Sequence, residues 1–548
     1  MTLLNEIWNG KDRKHLSLAK NAQESNVSFL NSSFNAETIE GWLIDKIAEL
    51  LEIEPHQIDV QQNFIDYGLD SVEAINLSGE LESYLGSRLS PTLLWDYQNI
   101  EDLARYLAKY ISEQDLSHQD KTDGDKVDDL DSEKIEIANS TDIPAEYYQF
   151  EAFPEYQTLQ QRLEEVKSLG KGNPFFVPQE RVVNNITVIN GRELINFATY
   201  NYIGMCGDPV VSGATQEAIA RYGTSAGASR LISGEKPLHR ELEQEIADFI
   251  GVEDSIIYVG GHATNVSTIG HLFGKNDLIL YDALSHNSIL QGCFLSGASL
   301  VAFPHNDWLT LDRILSDRRH RYQKVLIAIE GVYSTDGDIA ELPQFIEIKK
   351  RHKALLLVDE AHSIGVLGKH GRGVSEHFEI NPRDVDLWMG TLSKSFASCG
   401  GYIAGCQALV EYLKYTAPGF VFSVGMSPPN AAAALAAIRL LKAEPERAIR
   451  LQERAKLFLD LAREKGLNTG LSQNSPVIPI IVGDSLKSIQ LSQNLGERGI
   501  NVPFMIYPSV PQNGARLRFF ITCDHTEEQI RFTVETLAEE LERLGVRD

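Results

Sequence analysis

The chain has 548 residues, 43% of them apolar and 23% charged, a composition that excludes a peptide, a single small module, a coiled coil and a wholly disordered protein. Its net charge of -27 argues against a nucleic-acid polyanion as principal partner. No run approaches 18 uncharged apolar residues and the N-terminus lacks a long apolar segment, so a cytoplasmic protein without a membrane span is expected. The five cysteines are scattered without CxxC or interleaved histidine spacing, which argues against disulfide frameworks and metal sites.

Residues 1–35 are polar and weakly patterned and read as a flexible leader. Residues 36–111 read as a small helical unit. Ile39, Leu43, Ile47 and Leu50 recur at helical spacing, as do Ala74, Leu77, Leu81 and Leu85, and then Ile100, Leu103 and Leu107. Turn segments separate these sets, so a compact bundle of three or four helices is expected. Asp70 can cap the helix that follows it, which places the hydroxyl of Ser71 on an exposed first turn. Residues 112–145 carry 11 acids, 3 bases and no aromatic side chain, too little apolar surface to repay ordering entropy. This acidic linker, as a random coil, spans roughly 30 to 35 Å. Together the helical unit and the linker hold -19 of the net charge.

From residue 146 strand-like runs alternate with helical segments. Ser255–Val259, Leu278–Tyr281, Val325–Glu330, Ala354–Val358, Asp386–Met389 and Gly401–Ala404 predict a mostly parallel, doubly wound α/β sheet. A large domain over 146–426 and a smaller α+β domain over 427–548 are expected.

Four segments fall where these strands end, the edge at which open α/β sheets bind ligands. Gly260–Asn265 (GGHATN) offers backbone amides to an anion at a helix start. In VDEAHS, Asp359 and His362 could grip a charged ring nitrogen and a nearby oxygen, but a metal pair or a core histidine would leave the same trace. TLSKSF places Lys394 after another strand, as in imine-forming enzymes, though a surface lysine reads alike. DALSHNS offers the ring of His286 near a loop.

Two resemblances sharpen these readings. The stretch 37–111, with GLDSV and SPTLLWDYQNIEDLARYL, resembles an acyl carrier protein domain of the polyketide-synthase type. That likeness implies 4'-phosphopantetheine on Ser71, a phosphopantetheinyl transferase to attach it, and upstream acyl-loading or polyketide and fatty-acid enzymes. The stretch 150–545 resembles fold-type I pyridoxal-phosphate enzymes and, within them, the α-oxoamine synthases. It does so through NYIG at Asn201, GASRLISG followed by LHRELE, EGVYSTDGDIA from Glu330, VDEAHSIGVLGKHGRG, TLSKSF and RLRFFITCDHT.

The second resemblance implies Lys394 as the Schiff-base lysine, Asp359 as the partner of the pyridinium nitrogen, His286 stacked on the ring and His362 at the phenolic oxygen. It further implies that Gly261, His262 and Thr391 hold the phosphate, with Ser334 close by. Ser423 would reach a neighbouring subunit's phosphate in a homodimer, Arg518 would bind the amino-acid carboxylate, and Asn201 would contact substrate. Gly260-Gly261-His262 departs from the family's common Ser-Gly-aromatic, which keeps the backbone role and puts the side-chain role in doubt. The implied reaction is decarboxylative condensation of an amino acid with an acyl thioester to an α-amino ketone. The fused carrier domain is expected to hold that thioester; the alternatives are transamination or aldol cleavage on the same scaffold, a synthase of this family that takes acyl-CoA, or a non-catalytic carrier or scaffold.

Overall fold

The computed structural model describes residues 35–51, 55–62, 99–108, 143–168, 173–507 and 509–546, with single positions between 64 and 85. It divides into two units, 1–132 and 133–548. The leader, most of the acidic linker and Ser71 lie outside the described residues.

In the first unit, helix α1 (Ala36–Leu51) buries Ile39, Leu43 and Ile47. They share one apolar cluster with Leu77, Leu81 and Leu85 and with Ile100, Leu103 and Leu107. The three spaced sets therefore converge on a common core, as their periodicity requires. Trp42 stacks on Tyr84 beside it, ring centroids 4.9 Å apart.

The second unit is built on a seven-stranded sheet. Its strands are β3 (Asp254–Tyr258), β4 (Leu278–Asp282), β5 (Ser299–Phe303), β6 (Val325–Glu330), β7 (Leu355–Asp359), β8 (Leu387–Thr391) and β9 (Gly401–Gly405), in the order β3-β9-β8-β7-β6-β4-β5. Strands β8, β7, β6, β4 and β5 run parallel, and β9 is antiparallel to both β8 and β3. Every residue of β4, β6 and β8 is buried, as expected of strands covered on both faces.

Among the covering helices, α2 (Pro237–Ile250) starts at a proline and stops at Gly251, whose φ of 96° a larger residue would resist. Helix α3 (Gly261–Leu272) follows β3, and α4 (Asn287–Ser296) follows β4. The smaller lobe draws on both ends of the unit. Hairpin β1 (Ile186–Ile189) and β2 (Arg192–Asn196) pairs through β2 with β11 (Ile500–Asn501), so the lobe does not begin only at residue 427. Its second sheet sets β13 (Ala515–Phe520) between β10 (Val477–Gly483) and β12 (Phe504–Met505). Among the described residues no helix is long and apolar enough to cross a membrane.

Candidate active site

The register of the parallel strands sets the site. Glu330 and Asp359 are cross-strand partners at the ends of β6 and β7, and both are buried. Asp359 accepts hydrogen bonds on both oxygens, Oδ2 from Asn265 Nδ2 at 2.8 Å and Oδ1 from the Ala361 amide at 2.9 Å. The same Asn265 nitrogen donates to Ser288 Oγ at 2.9 Å, and that hydroxyl meets His286 Nδ1 at 2.8 Å. His286 is also the N-cap of α4. A continuous polar chain thus joins the β7 carboxylate to the imidazole after β4.

Glu330 holds the backbone of the same residue. Its Oε1 accepts the His286 amide at 2.6 Å and its Oε2 the Ser334 amide at 3.3 Å. Burial, and then the neighbouring Asp359, push the Glu330 carboxyl well above the usual range. Burial lowers His286 against the pull of Asp359, and lowers His362 far more, with the positive charges of Lys394 and Arg518 adding to the effect. Tyr202 Oη lies 2.7 Å from His362 Nδ1. Burial keeps that phenol protonated, and the direction of the bond follows the tautomer of the imidazole.

Lys394 follows β8. Burial pushes its amine down to about 8, although Asp359 and Glu330 oppose that shift. Its Nζ sits 5.6 Å from the centroid of the Tyr200 ring. Arg518 on β13 donates from Nη1 to the Ser334 carbonyl at 2.7 Å and from Nη2 to Tyr200 Oη at 3.4 Å, with Phe520 beneath its guanidinium at 4.7 Å. Its Nε is buried without a hydrogen-bond partner. Arg516, two residues earlier on the same strand face, is bound to Asp336 at 2.6 Å. Of the two arginines, Arg518 alone has no carboxylate among the described residues, which suits it to a carboxylate from outside.

At the start of α3 no side chain caps the first amides, those of Gly261 and His262 among them. A Cβ on Gly261 would come within 2.7 Å of Thr391 Oγ1, so only glycine lets the helix start approach that hydroxyl. His262 is exposed, its ring 6.4 Å from that of His286.

Two expected residues stand apart. Ser423 lines a small concavity with Arg230, Tyr258 and Phe420. Asn201 is buried and its amide is used internally, accepting from the Cys206 amide at 3.0 Å and donating to Asn184 Oδ1 at 3.2 Å. Asn201 thus clasps the loop whose Tyr200 meets Arg518 and Lys394. Tyr200, Tyr202, Asn265, Ser288 and Glu330 were not singled out by the sequence. All but Tyr200 lie inside the quoted motifs, and that placement is the signal that could have pointed to them.

Comparison with known proteins agrees with this geometry. The family described as aminotransferase class I and II matches residues 192–537, and a phosphopantetheine attachment site matches residues 41–107. An 8-amino-7-oxononanoate synthase of Symbiobacterium thermophilum is 40% identical over 360 residues, covering 66% of this chain and 91% of that protein. Among solved structures, a serine palmitoyltransferase of Sphingomonas wittichii matches with a TM-score of 0.69 at 32% identity, over 72% of this chain and 99% of that one. An 8-amino-7-oxononanoate synthase of Francisella tularensis matches at 0.56 and 29%, over 64% and 98%.

The residues fit pyridoxal phosphate, the cofactor of these enzymes. A buried carboxylate suits a pyridinium nitrogen, an amine of lowered pKa suits an aldehyde, and an uncapped helix start beside a threonine hydroxyl suits a phosphate. The chain belongs to the α-oxoamine synthases, pyridoxal-phosphate-dependent acyltransferases of the class I and II aminotransferase family, and carries a phosphopantetheine-attachment domain ahead of the synthase.

Proposed function

We propose that this enzyme condenses an amino acid with an acyl group held on its own carrier domain, with loss of carbon dioxide, and releases an α-amino ketone. The observation that carries the reading is the presence in one chain of a phosphopantetheine-attachment match at 41–107 and a synthase unit from 192 onward. A thioester on the same chain reaches an effective concentration of order millimolar if the linker matches the span, without any new contact.

Pyridoxal phosphate, when bound, supplies an aldehyde that takes up amines and an electron-poor ring that accepts the charge left at an amino acid's α carbon. In this reading Asp359 would hold the ring nitrogen, His286 would cover the ring face and His362 would reach the phenolic oxygen. The Gly261 and His262 amides and Thr391 hold the phosphate, with Ser334 near the cofactor. Ser423 serves the phosphate of a second subunit in a homodimer. Arg518 would receive the amino-acid carboxylate beside the Tyr200 hydroxyl. The Lys394 amine, lowered to about 8, takes the proton from the α carbon. The α carbon would then bond to the thioester carbonyl carbon as the C–S bond breaks to free the arm's thiolate, the carboxylate would depart as carbon dioxide, and the electron pair left on the α carbon would take up the proton that Lys394 holds. A phosphopantetheinyl transferase modifies Ser71, and an upstream enzyme loads it, in the cytoplasm.

Substituting Ser71→Ala abolishes turnover that depends on the loaded carrier. Product formation from the acylated carrier pool is the measurement, and an unchanged yield rules out delivery from the chain's own domain. Because the fork of Arg518 binds a carboxylate through two parallel bonds, Arg518→Lys raises KM for the amino acid about 10- to 100-fold, while KM for the acyl donor stays put. Steady-state kinetics with each substrate varied separates the two. Thiol release coupled to labelled carbon dioxide from the amino-acid carboxyl group distinguishes condensation from transamination and aldol cleavage.

A further inference from the structure

Outside the residues discussed so far lies a second buried charged cluster. His305 follows β5 and stands between two buried carboxylates, Asp282 at the end of β4 and Asp338 in the loop after β6. Its Nδ1 donates to Asp282 Oδ1 at 2.8 Å and its Nε2 to Asp338 Oδ2 at 2.9 Å. Both ring nitrogens donate only in the imidazolium. Burial opposes that charge, yet the two carboxylates prevail and push the imidazole up to about 10.

The next residue repeats the bridge. The Asn306 amide donates to Asp282 Oδ2 at 2.8 Å and its side chain to Asp338 Oδ2 at 2.6 Å. Asn306 adopts φ of 55° to do so, a conformation that asparagine tolerates better than most residues. The edge of one ring meets the face of the other where His305 abuts Tyr333, centroids 4.4 Å apart at 90°.

The two carboxylates belong to the loops that carry the reacting side chains. Asp282 Oδ1 also accepts the Leu284 amide at 2.8 Å, and its carbonyl accepts the Ser285 amide at 2.9 Å, which shapes the turn into His286. The Asp338 carbonyl accepts the Tyr333 amide at 3.0 Å, closing the turn that holds Ser334. The Ser334 carbonyl in turn receives Arg518. Glu330 ties the same two loops from inside, through the amides of His286 and Ser334.

We propose that His305 is a positioning residue for the reaction centre: locked between Asp282 and Asp338, it clamps the His286 loop to the Ser334 loop and so sets the ring-facing imidazole against the Arg518 carboxylate site. This rests on the assignment of His286 and Ser334 to the reaction centre made above. A cationic clamp suits the task because the imidazolium offsets one of the two buried negative charges, whereas a neutral side chain in its place offsets neither.

The test uses the cofactor-loaded, full-length enzyme and its His305→Gln variant. Amide hydrogen exchange is expected to quicken in residues 282–288 and 331–339 together, while the helix at Glu446–Glu464 keeps its protection. In the same variant kcat falls about 10- to 100-fold, but no more than about twofold when His286→Ala is already present, as coupled residues require. Exchange that stays unchanged in both loops, or an equal loss of kcat in the two backgrounds, overturns the clamp. Should His305→Gln fail to fold, Asp338→Asn removes one end of the bridge at constant shape and is read the same way. Full turnover by His286→Ala alone overturns the assignment of His286 to the reaction centre, and the exchange result still decides the clamp.

Discussion

Replacing Lys394 with alanine is expected to cut turnover by about 100- to 10,000-fold, the range in which a positioned proton acceptor acts, and to remove the visible absorption of the cofactor-loaded enzyme. The loss is chemical in origin. The Lys394 side chain contributes no hydrogen bond or ion pair among the described residues. Its amine is held near 8 by burial, against two carboxylates that favour the charged form. An ammonium so placed weighs against folding at neutral pH. The sign follows from proton binding: between about 8 and about 10.4 the unfolded lysine is protonated and the folded one is not. Stability from this group therefore rises with pH through that window, and below about 8 its cost is paid in full. Cofactor-free wild type should gain stability relative to Lys394→Ala as pH climbs from about 8 to about 10, read by thermal unfolding. A variant that keeps its absorption band shows that another lysine meets the cofactor.

The sheet was legible because its central strands are uninterrupted apolar runs, and burial on both faces demands such runs. Val325–Glu330 agrees to the residue, and the other five expected strands shift by one or two positions at their ends. Strand β5 was not read. Its sequence SLVAF opens with a serine, and its first three residues are only partly buried. The β1–β2 hairpin was also passed over, although Asn190-Gly191 is a strong turn signal and both residues adopt positive φ, 51° and 71°.

At the site, chemistry bearing a recognisable motif was legible and chemistry created by register was not. Nothing local to Glu330 announces that it will face Asp359. That adjacency exists only because β6 and β7 pair in register across the sheet. Tyr202 acquires its role from a histidine 160 residues away. Asn201, a motif residue, spends its amide on Asn184 and Cys206, while its neighbour Tyr200 meets Arg518. Composition alone does not choose between Arg518 and Arg516, which lies on the same face and has Asp336 as a partner.

Asp359→Asn is expected to lower kcat by about 100- to 1000-fold, the scale of removing one preorganised electrostatic contact from a reaction centre. Two effects act together. The ring nitrogen loses the charge that favours its protonated form, and the electron demand that the cofactor places on the substrate falls with it. The surrounding titrations also move. Asp359 holds Lys394 up and pushes Glu330 up, so its neutralisation lowers the amine below about 8 and brings the Glu330 carboxyl down. A structural cost follows from the hydrogen bonds. Both oxygens of Asp359 accept, from Asn265 and from Ala361, whereas a carboxamide accepts on one side only. One buried donor is left unpaired, at about 1–3 kcal/mol, which a denaturant titration resolves. Reductive alkylation of Lys394 in cofactor-free protein, followed against pH, reads the electrostatic part separately. Its midpoint moves down in the variant. A midpoint that stays in place, together with undiminished kcat, means that the carboxylate at the end of β7 does not face the reacting amine, and the assignment of the site falls with it.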